Sequence, residues 1–275
     1  MSTGEETYGL DRGGEPQLRR RWRADPCRAA LLLVHGMAEH SGRYEHVGRS
    51  LSDRGVDVLS FDLRGHGRSG GRRGHVEDFD HFLDDVQDLL AERRGLGVPV
   101  VLMGHSMGGL ISAAYAVSDR PQPDLLVLSA PALAADIPAW QRVAATALSR
   151  LVPTLSLPND FDGELLTRDP EVGAAYRDDP LRVRKATTRL GNEIFKAMEA
   201  TASAAPSSLS VPTYVLHGAA DQLVPPQASE PLATHPQVTR KVYDALRHEC
   251  LNEPERDEVL VDLHDWLDAR LDERA

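Results

Sequence analysis

The sequence of 275 residues predicts an α/β protein, in which a mostly parallel sheet is flanked by helices. Short apolar runs, each long enough for a buried strand, alternate with segments that carry apolar residues at helical spacing. One of these runs, Pro99 to Met103, leads into the segment Gly104-His-Ser-Met-Gly108, which fits the pattern G-x-S-x-G and precedes a helix of small and apolar residues. Because ligands of such sheets bind at the carboxyl ends of the strands, we expect the functional site there.

The chain begins with a predicted β-hairpin over residues 5–24, with a turn at 11–14. The strands predicted after it cover residues 29–34, 56–61, 99–103, 124–131, 211–218 and 239–245. The predicted helices cover residues 44–54, 77–94 and 110–116, a segment starting near 226, and 254–271. This alternation favours a doubly wound sheet.

Residues 132–206 interrupt this alternation. We therefore predict a core formed by 1–131 and 207–275 and a helical lid inserted at 132–206. A helix is predicted from Pro138 to Leu151, and short helical patterns broken by Pro180 and Gly191 follow in 170–196. The apolar stripe of the first helix consists of Trp140, Val143, Ala144, Ala147, Leu148 and Leu151. We expect this stripe to pack on the core, with transient contact to a membrane as the alternative.

The composition narrows the class of function. A formal net charge of −11 argues against nucleic acid and anionic membrane surfaces as main partners. The two cysteines, Cys27 and Cys250, indicate neither a disulfide framework nor a metal-ligand spacing, and no cofactor is implied. The N-terminal segment lacks the pattern of a signal peptide, so we expect a cytoplasmic protein. The oligomeric state is not indicated by any pattern.

The G-x-S-x-G segment makes Ser106 the candidate nucleophile. A serine hydroxyl needs a general base, and the base needs a carboxylate to orient it. In folds of this kind the order along the chain is Ser, acid, His, each after a strand. Asp221 follows the strand at 211–218 and His248 follows the strand at 239–245, so these two residues complete the predicted catalytic set.

The other candidate residues fit this order less well. His217 precedes Asp221, and His235 stands beside a helix end. His264 lies among acidic residues on what we interpret as a solvated helix face. Asp244 belongs to the strand before His248.

Two backbone N–H groups should stabilise the oxyanion that forms when Ser106 attacks an ester. One is expected at Met107, the residue after the nucleophile. The other is expected at Met37, in the loop after the strand at 29–34.

Six segments of the sequence together resemble a known family. They are His35-Gly-Met-Ala-Glu-His-Ser-Gly-Arg-Tyr44, Phe61-Asp-Leu-Arg-Gly-His-Gly-Arg-Ser69, Gly104-His-Ser-Met-Gly-Gly109, Leu128-Ser-Ala-Pro131, His217-Gly-Ala-Ala-Asp221 and His248. The chain resembles the monoacylglycerol lipase and lysophospholipase branch of the α/β-hydrolases, also classed as serine aminopeptidase-like. The resemblance implies the α/β-hydrolase fold, with an eight-stranded sheet and a lid, and hydrolysis of monoacylglycerols through an acyl-enzyme.

The resemblance also implies residues of a polar pocket for the glycerol. By position these are Glu39, Arg43 and Tyr176. The alternatives are a local ion pair for Glu39 and Arg43 and a packed lid aromatic for Tyr176. Some members place a histidine shortly after the catalytic one, where this chain has Leu251, so the contacts to glycerol should differ.

Other functions remain open at this stage. The same catalytic set would serve a lysophospholipase or a general carboxylesterase. Binding of a phosphate head group would require a cluster of basic residues near the pocket. The one candidate cluster near a loop is Arg64, Arg68, Arg72 and Arg73, and these arginines could equally serve to hold the loop in place. A peptidase is disfavoured because the lid shows no acidic clamp for an amino terminus. From another class, the chain could be a non-catalytic α/β-hydrolase that binds a small ligand.

Overall fold

The computed structural model describes residues 4–134 and 139–274, with side chains for all of these except 139–144 and 206. Within these ranges eight strands form one sheet in the order β1-β2-β4-β3-β5-β6-β9-β10. These strands are β1 (Glu5–Leu10), β2 (Pro16–Trp22), β3 (Ala29–Val34), β4 (Val56–Phe61), β5 (Val100–His105), β6 (Leu125–Ser129), β9 (Thr213–Gly218) and β10 (Val238–Tyr243). A separate two-stranded sheet joins β7 (Ser156–Pro158) to β8 (Lys185–Thr187).

The predicted α/β architecture is confirmed. The strands from β4 to β10 in the sheet order pair in parallel, whereas β1–β2 and β2–β4 are antiparallel. Strands β3, β4, β5, β6 and β9 are buried along their whole length, as expected for strands covered on both faces. Their carboxyl ends therefore meet at one edge of the sheet.

The described residues contain eight α-helices. They are α1 (Glu45–Ser52), α2 (Asp80–Arg94), α3 (Met107–Ala116), α4 (Ala139–Leu151), α5 (Gly163–Leu166), α6 (Pro170–Asp178), α7 (Thr188–Ser208) and α8 (Arg256–Asp272). Of these, α1, α2, α3, α7 and α8 pack on the two faces of this sheet. Side chains of β3 divide between two apolar clusters. Leu32 and Val34 pack with residues of α2, α3 and α7, whereas Leu31 and Leu33 pack with residues of α1 and α8.

The segment between β6 and β9 contains helices α4 to α7 and the small sheet, whose two short strands the sequence did not indicate. The predicted break at Gly191 is wrong: α7 runs through this glycine, because its neighbours from Thr188 onward keep apolar residues at helical spacing. The predicted start of the first lid helix, Pro138, lies outside the described residues, as do the side chains of Trp140, Val143 and Ala144 in the predicted stripe.

The described part of that stripe does not pack on the core. Leu148 is 37% exposed and Leu151 is 80% exposed. Three further large apolar residues, Val152, Leu155 and Leu157, are also exposed. Together these five side chains form what we call the exposed lid patch. The expectation that the stripe packs on the core is therefore wrong for Leu148 and Leu151, since both are exposed to solvent.

Other features differ in detail from the predictions. The segments Ser41–Tyr44 and Pro226–Thr234 are 3₁₀ helices, the second with a proline inside it. His264 does not lie on a solvated face; it is 4% exposed and lies 2.8 Å from Ser50 Oγ through Nε2. Both cysteines are free. No helix in the described ranges is long and apolar enough to cross a bilayer.

Candidate active site

Ser106 stands in the tight turn between β5 and α3. Its backbone has φ 52° and ψ −116°, a left-handed conformation that side chains rarely adopt. Two glycines allow this turn to form against its neighbours. A Cβ on Gly104 would lie 2.1 Å from the carbonyl oxygen of Gly108, and a Cβ on Gly108 would lie 2.2 Å from the carbonyl oxygen of Val34. The small residues of the motif are therefore a steric requirement of the turn.

Asp221 and His248 are hydrogen-bonded to each other. His248 Nδ1 lies 2.7 Å from Asp221 Oδ2, and both side chains are buried. The other carboxylate oxygen, Oδ1, accepts from the amides of Leu223 and Val224, each at 2.9 Å. With Nδ1 bound to the carboxylate, Nε2 is the ring nitrogen left for Ser106, which lines the same pocket as His248.

A second histidine also contacts Asp221. His217 Nε2 lies 3.3 Å from Asp221 Oδ2 and 2.9 Å from the carbonyl oxygen of Val224, and its ring is fully buried. Burial alone would raise the pKa of Asp221, but the hydrogen bonds from His217 and His248 outweigh it and hold this pKa well below its usual value. Sequence reasoning set His217 aside because it precedes the acid, and so missed this contact.

Met37 and Met107 both line the pocket of Ser106. In the described part of the chain no hydrogen bond from either amide to a backbone or side-chain acceptor is found. Gly36 lets the first loop approach the serine: a Cβ at this position would lie 3.2 Å from Ser106 Cβ and 2.8 Å from Glu39 Oε1. Met37 and Met107 therefore stay the candidates for the two donors that an oxyanion hole requires.

The residues implied for the polar pocket also come together. Glu39 and Tyr176 line the pocket of Ser106, whereas Arg43 lies against both of them. Arg43 Nη1 donates to Glu39 Oε2 at 3.0 Å, and the Arg43 guanidinium stands 5.0 Å from the ring centre of Tyr176. Burial raises the pKa of Tyr176 to about 12, so its hydroxyl stays protonated.

Sequence reasoning missed Glu249, the residue after His248. Glu249 lines the pocket and receives two hydrogen bonds from Arg43, at 2.5 Å and 2.7 Å. Burial would raise the pKa of Glu249, but the charge of Arg43 prevails and lowers it to about 2. The signal available in the sequence was an acidic residue beside a candidate catalytic histidine. Leu251, by contrast, is buried and does not line the pocket.

The pocket has a volume of about 150 Å³. Its apolar lining comes from both the core and the segment between β6 and β9. These residues are Met37, Met107, Ala132, Ala134, Phe161, Leu166, Ile194, Met198, Leu223 and Val224. An apolar wall with a few convergent polar groups is the usual form of a small-molecule site.

His105 lies between the candidate catalytic and polar residues. Its ring centre is 4.8 Å from that of His248, and its Nδ1 lies 3.1 Å from Ser129 Oγ. Burial lowers the pKa of His105 to about 4, so its ring is neutral at pH 7. A neutral ring here adds no positive charge beside His248.

The loop that carries His248 is hydrogen-bonded to the connection between α5 and α6. The amide of Glu249 donates to the carbonyl oxygen of Leu166 at 2.8 Å. Thr167 Oγ1 donates to the carbonyl oxygen of Asn252 at 2.9 Å, and the amide of Arg168 donates to Glu253 Oε2 at 2.9 Å. These contacts fix residues 166–168 against the loop.

Comparison with known families agrees with this geometry. The family described as serine aminopeptidase S33 matches residues 25–255, which is most of the chain. The chain belongs to this family.

Individual proteins also resemble the chain over most of its length. A monoacylglycerol lipase of Mycolicibacterium smegmatis is 37% identical over 257 residues, covering 90% of each chain. A phospholipase of Bacillus subtilis is 31% identical, covering 86% of this chain and 94% of its own length. The crystal structure of a monoacylglycerol lipase of Paleococcus ferrophilus superposes with a TM-score of 0.84 at 32% identity, covering 92% of this chain and 98% of the other.

The arginine cluster considered for a phosphate head group is held within the fold. Arg64 pairs with Asp85 and Arg68 with Glu6. Arg72 and Arg73 donate to backbone carbonyl oxygens. These contacts therefore support the alternative that all four arginines hold the loop in place.

Proposed function

We propose that the protein hydrolyses monoacylglycerols to fatty acid and glycerol, with Ser106 as nucleophile, His248 as general base and acid, and Asp221 as the residue that orients His248. The observation that carries this proposal is the buried Asp221–His248 hydrogen bond of 2.7 Å beside a serine in a strained turn. The likeness to monoacylglycerol lipases over most of the chain supports the choice of substrate.

The reaction follows from these positions. Ser106 Oγ attacks the ester carbonyl while His248 Nε2 takes its proton, and the anionic Asp221 stabilises the imidazolium that forms. The amides of Met37 and Met107 would bind the oxyanion. His248 then protonates the leaving glycerol, and the same groups activate a water molecule that hydrolyses the acyl-enzyme.

The two kinds of lining suggest where each part of the substrate binds. Ile194, Met198 and Val224 offer an apolar wall to the acyl chain. Glu39 and Tyr176 offer hydrogen-bond partners to the hydroxyl groups of glycerol, with Arg43 holding both from behind. Residues 132–206 would act as the lid over this pocket.

The direct test is hydrolysis of monoacylglycerols of several chain lengths beside di- and triacylglycerols, a lysophospholipid and short soluble esters. We expect the highest kcat/KM for monoacylglycerols and no hydrolysis by Ser106→Ala. Hydrolysis of short esters alone would contradict the lipid assignment and favour a general carboxylesterase. A protein that hydrolyses none of these and is not labelled at Ser106 by a fluorophosphonate would be a ligand-binding member of the fold.

A lysophospholipase is the second candidate, favoured by the likeness to a phospholipase of Bacillus subtilis. The contacts of the four loop arginines within the fold speak against it, because two of them pair with acids, two donate to backbone carbonyl oxygens, and none lines the pocket of Ser106. The lysophospholipid in the assay distinguishes the two.

We also propose that the lid touches lipid surfaces transiently through the exposed lid patch. Five large apolar side chains are exposed within residues 148–157. Single exposed apolar residues are common on protein surfaces, whereas a cluster of them marks a site of contact with a partner or a membrane. Leu151→Ser combined with Leu155→Ser should weaken binding to neutral phosphatidylcholine vesicles. Leu10→Ser, at a 67% exposed position on β1, is the control and should bind like the wild type. Equal binding of all three proteins would contradict the proposal.

A cytoplasmic location stays a prediction, which cell fractionation would test.

A further inference from the structure

Glu249 gives the polar side of the pocket a second carboxylate. We propose that Glu249, together with Glu39, makes this side of the pocket select uncharged leaving groups and reject anionic ones such as phosphate esters. This inference rests on the proposed function, since it concerns the alcohol part of the same substrates.

The argument starts from the charges on this side of the pocket. Glu249 and Glu39 are 4% and 2% exposed, and both pair with the single guanidinium of Arg43. Two carboxylates against one guanidinium leave a net charge of −1. The described residues that line the pocket include these two acids and neither lysine nor arginine.

The hydrogen bonds of Glu249 fix it as a carboxylate. Arg43 binds both of its oxygens, and Asn252 Nδ2 donates to Oε2 at 2.8 Å. Glu39 is held in the same way on its far side, where Tyr44 donates to Oε1 at 2.7 Å. Since the donors to Glu249 favour its ionised form, Glu249 gains nothing by taking a proton to admit an anion.

The next basic side chains along this wall are Arg182 and His40, and neither lines the pocket. Arg182 stacks on Tyr176 at 4.5 Å from the ring centre and pairs with Asp160 through Nη2, whereas its Nε and Nη1 have no hydrogen-bond partner. His40 Nε2 lies 2.8 Å from Asp179 Oδ2. A phosphate placed beyond Ser106 would therefore meet two carboxylates of a pocket lining that contains neither lysine nor arginine, and like charges brought together in a shielded pocket repel strongly. The hydroxyl groups of glycerol, by contrast, can donate to carboxylate lone pairs.

The test compares two substrates with the same acyl chain, monolauroylglycerol and lauroyl lysophosphatidic acid, in wild type and Glu249→Gln. The wild type should strongly prefer the neutral ester. The variant removes one negative charge and keeps an oxygen acceptor, so the ratio of kcat/KM for the anionic to the neutral substrate should rise at least about tenfold. Glu249→Asp keeps the charge and should keep the wild-type ratio.

Glu255→Gln is the matched control. It makes the same change in net charge a few residues along the chain, at an exposed position that does not line the pocket, and should leave the ratio unchanged. Should Glu249→Gln fail to fold, Glu39→Gln removes one charge from the same side and must raise the same ratio.

The outcomes separate this inference from the proposed function. A wild type that does not hydrolyse monolauroylglycerol contradicts the proposed function. A wild type that hydrolyses it, but hydrolyses the anionic substrate equally well, overturns the inference alone. An unchanged ratio in a folded Glu249→Gln variant, or an equal rise in Glu255→Gln, overturns it as well.

Discussion

All eleven histidines of the chain lie outside residues 132–206, whereas the five exposed apolar side chains of the lid patch lie within residues 148–157. In the core, polar groups such as His217 and Asp221 are buried and hydrogen-bonded. In the lid, apolar groups such as Leu151 face water. In the core, burial and hydrogen bonds therefore hold polar groups in one geometry. In the lid, apolar surface stays exposed to solvent.

The largest effect should come from the core, at Ser106. Ser106→Ala should lower kcat/KM for monolauroylglycerol by at least about 10⁴-fold, because no other group can form the acyl-enzyme. The free energy of unfolding should stay close to that of the wild type. Ser112→Ala, which removes a buried hydroxyl without a partner from the same helix, is the control and should keep its activity. Equal activity of both variants would remove Ser106 from the mechanism.

The pH dependence of stability should also be a property of the core. Burial lowers the pKa of His35 and His105 to about 4 and that of His66 to about 3. Between about pH 6.5 and 4 the unfolded chain binds these protons and the native chain does not, so acidification destabilises the fold. Each ring contributes about 1.4 kcal/mol per pH unit in this window.

Urea unfolding at pH 7, 6 and 5 measures this slope. His66→Asn, whose amide can donate to the carbonyl oxygen of Arg64 as Nδ1 does, should reduce the slope by the share of one histidine. A free energy of unfolding that does not change from pH 7 to pH 5 would contradict the assignment of these rings as neutral.

A pair of glycine substitutions compares the two regions directly. Gly108→Ala places a Cβ 2.2 Å from a backbone oxygen and should destabilise the core by about 3 kcal/mol or abolish folding. Gly191→Ala meets no atom within 4 Å and lies inside α7, so it should stabilise the protein by up to about 1 kcal/mol. Thermal unfolding of the two variants checks this, and similar shifts in Tm would contradict it.

The smallest effect should come from the lid patch. Leu151→Ala should change the free energy of unfolding by no more than about 0.5 kcal/mol, because the side chain is already in water. Leu51→Ala, at a fully buried position of α1, should cost about 2–5 kcal/mol. Denaturant titration of both variants measures the difference, and a large loss for Leu151→Ala would mean that the lid patch packs against something.

The core was predictable because its constraints are local. Gly104 is required by a contact with Gly108 inside the motif, and the order Ser106, Asp221, His248 follows from strands ending at one edge. The lid was harder to predict, since helix α7 and the two short strands depend on tertiary packing rather than on local signals. Gly191 is an ordinary break signal that the packing of Leu190 and Ile194 overrides.

Glu249 and His217 escaped prediction for different reasons. The role of Glu249 comes from Arg43, which is 206 positions away in sequence, whereas the partners of His217, Val224 and Ser229, lie 7 and 12 positions away in the segment that follows β9. A single sequence shows which residues can carry a charge, but it does not show which acidic residues pair with the same arginine.

The hydrogen bonds that tie residues 166–168 to the loop of His248 divide the lid into two parts with different freedom to evolve. A substitution in 166–168 moves the histidine and is exposed to selection on the reaction itself. A substitution at one of the exposed side chains of the lid patch changes the surface that the lid presents. Adaptation to a new lipid surface is therefore open to this protein through the second part, without any change to the residues that carry out the chemistry.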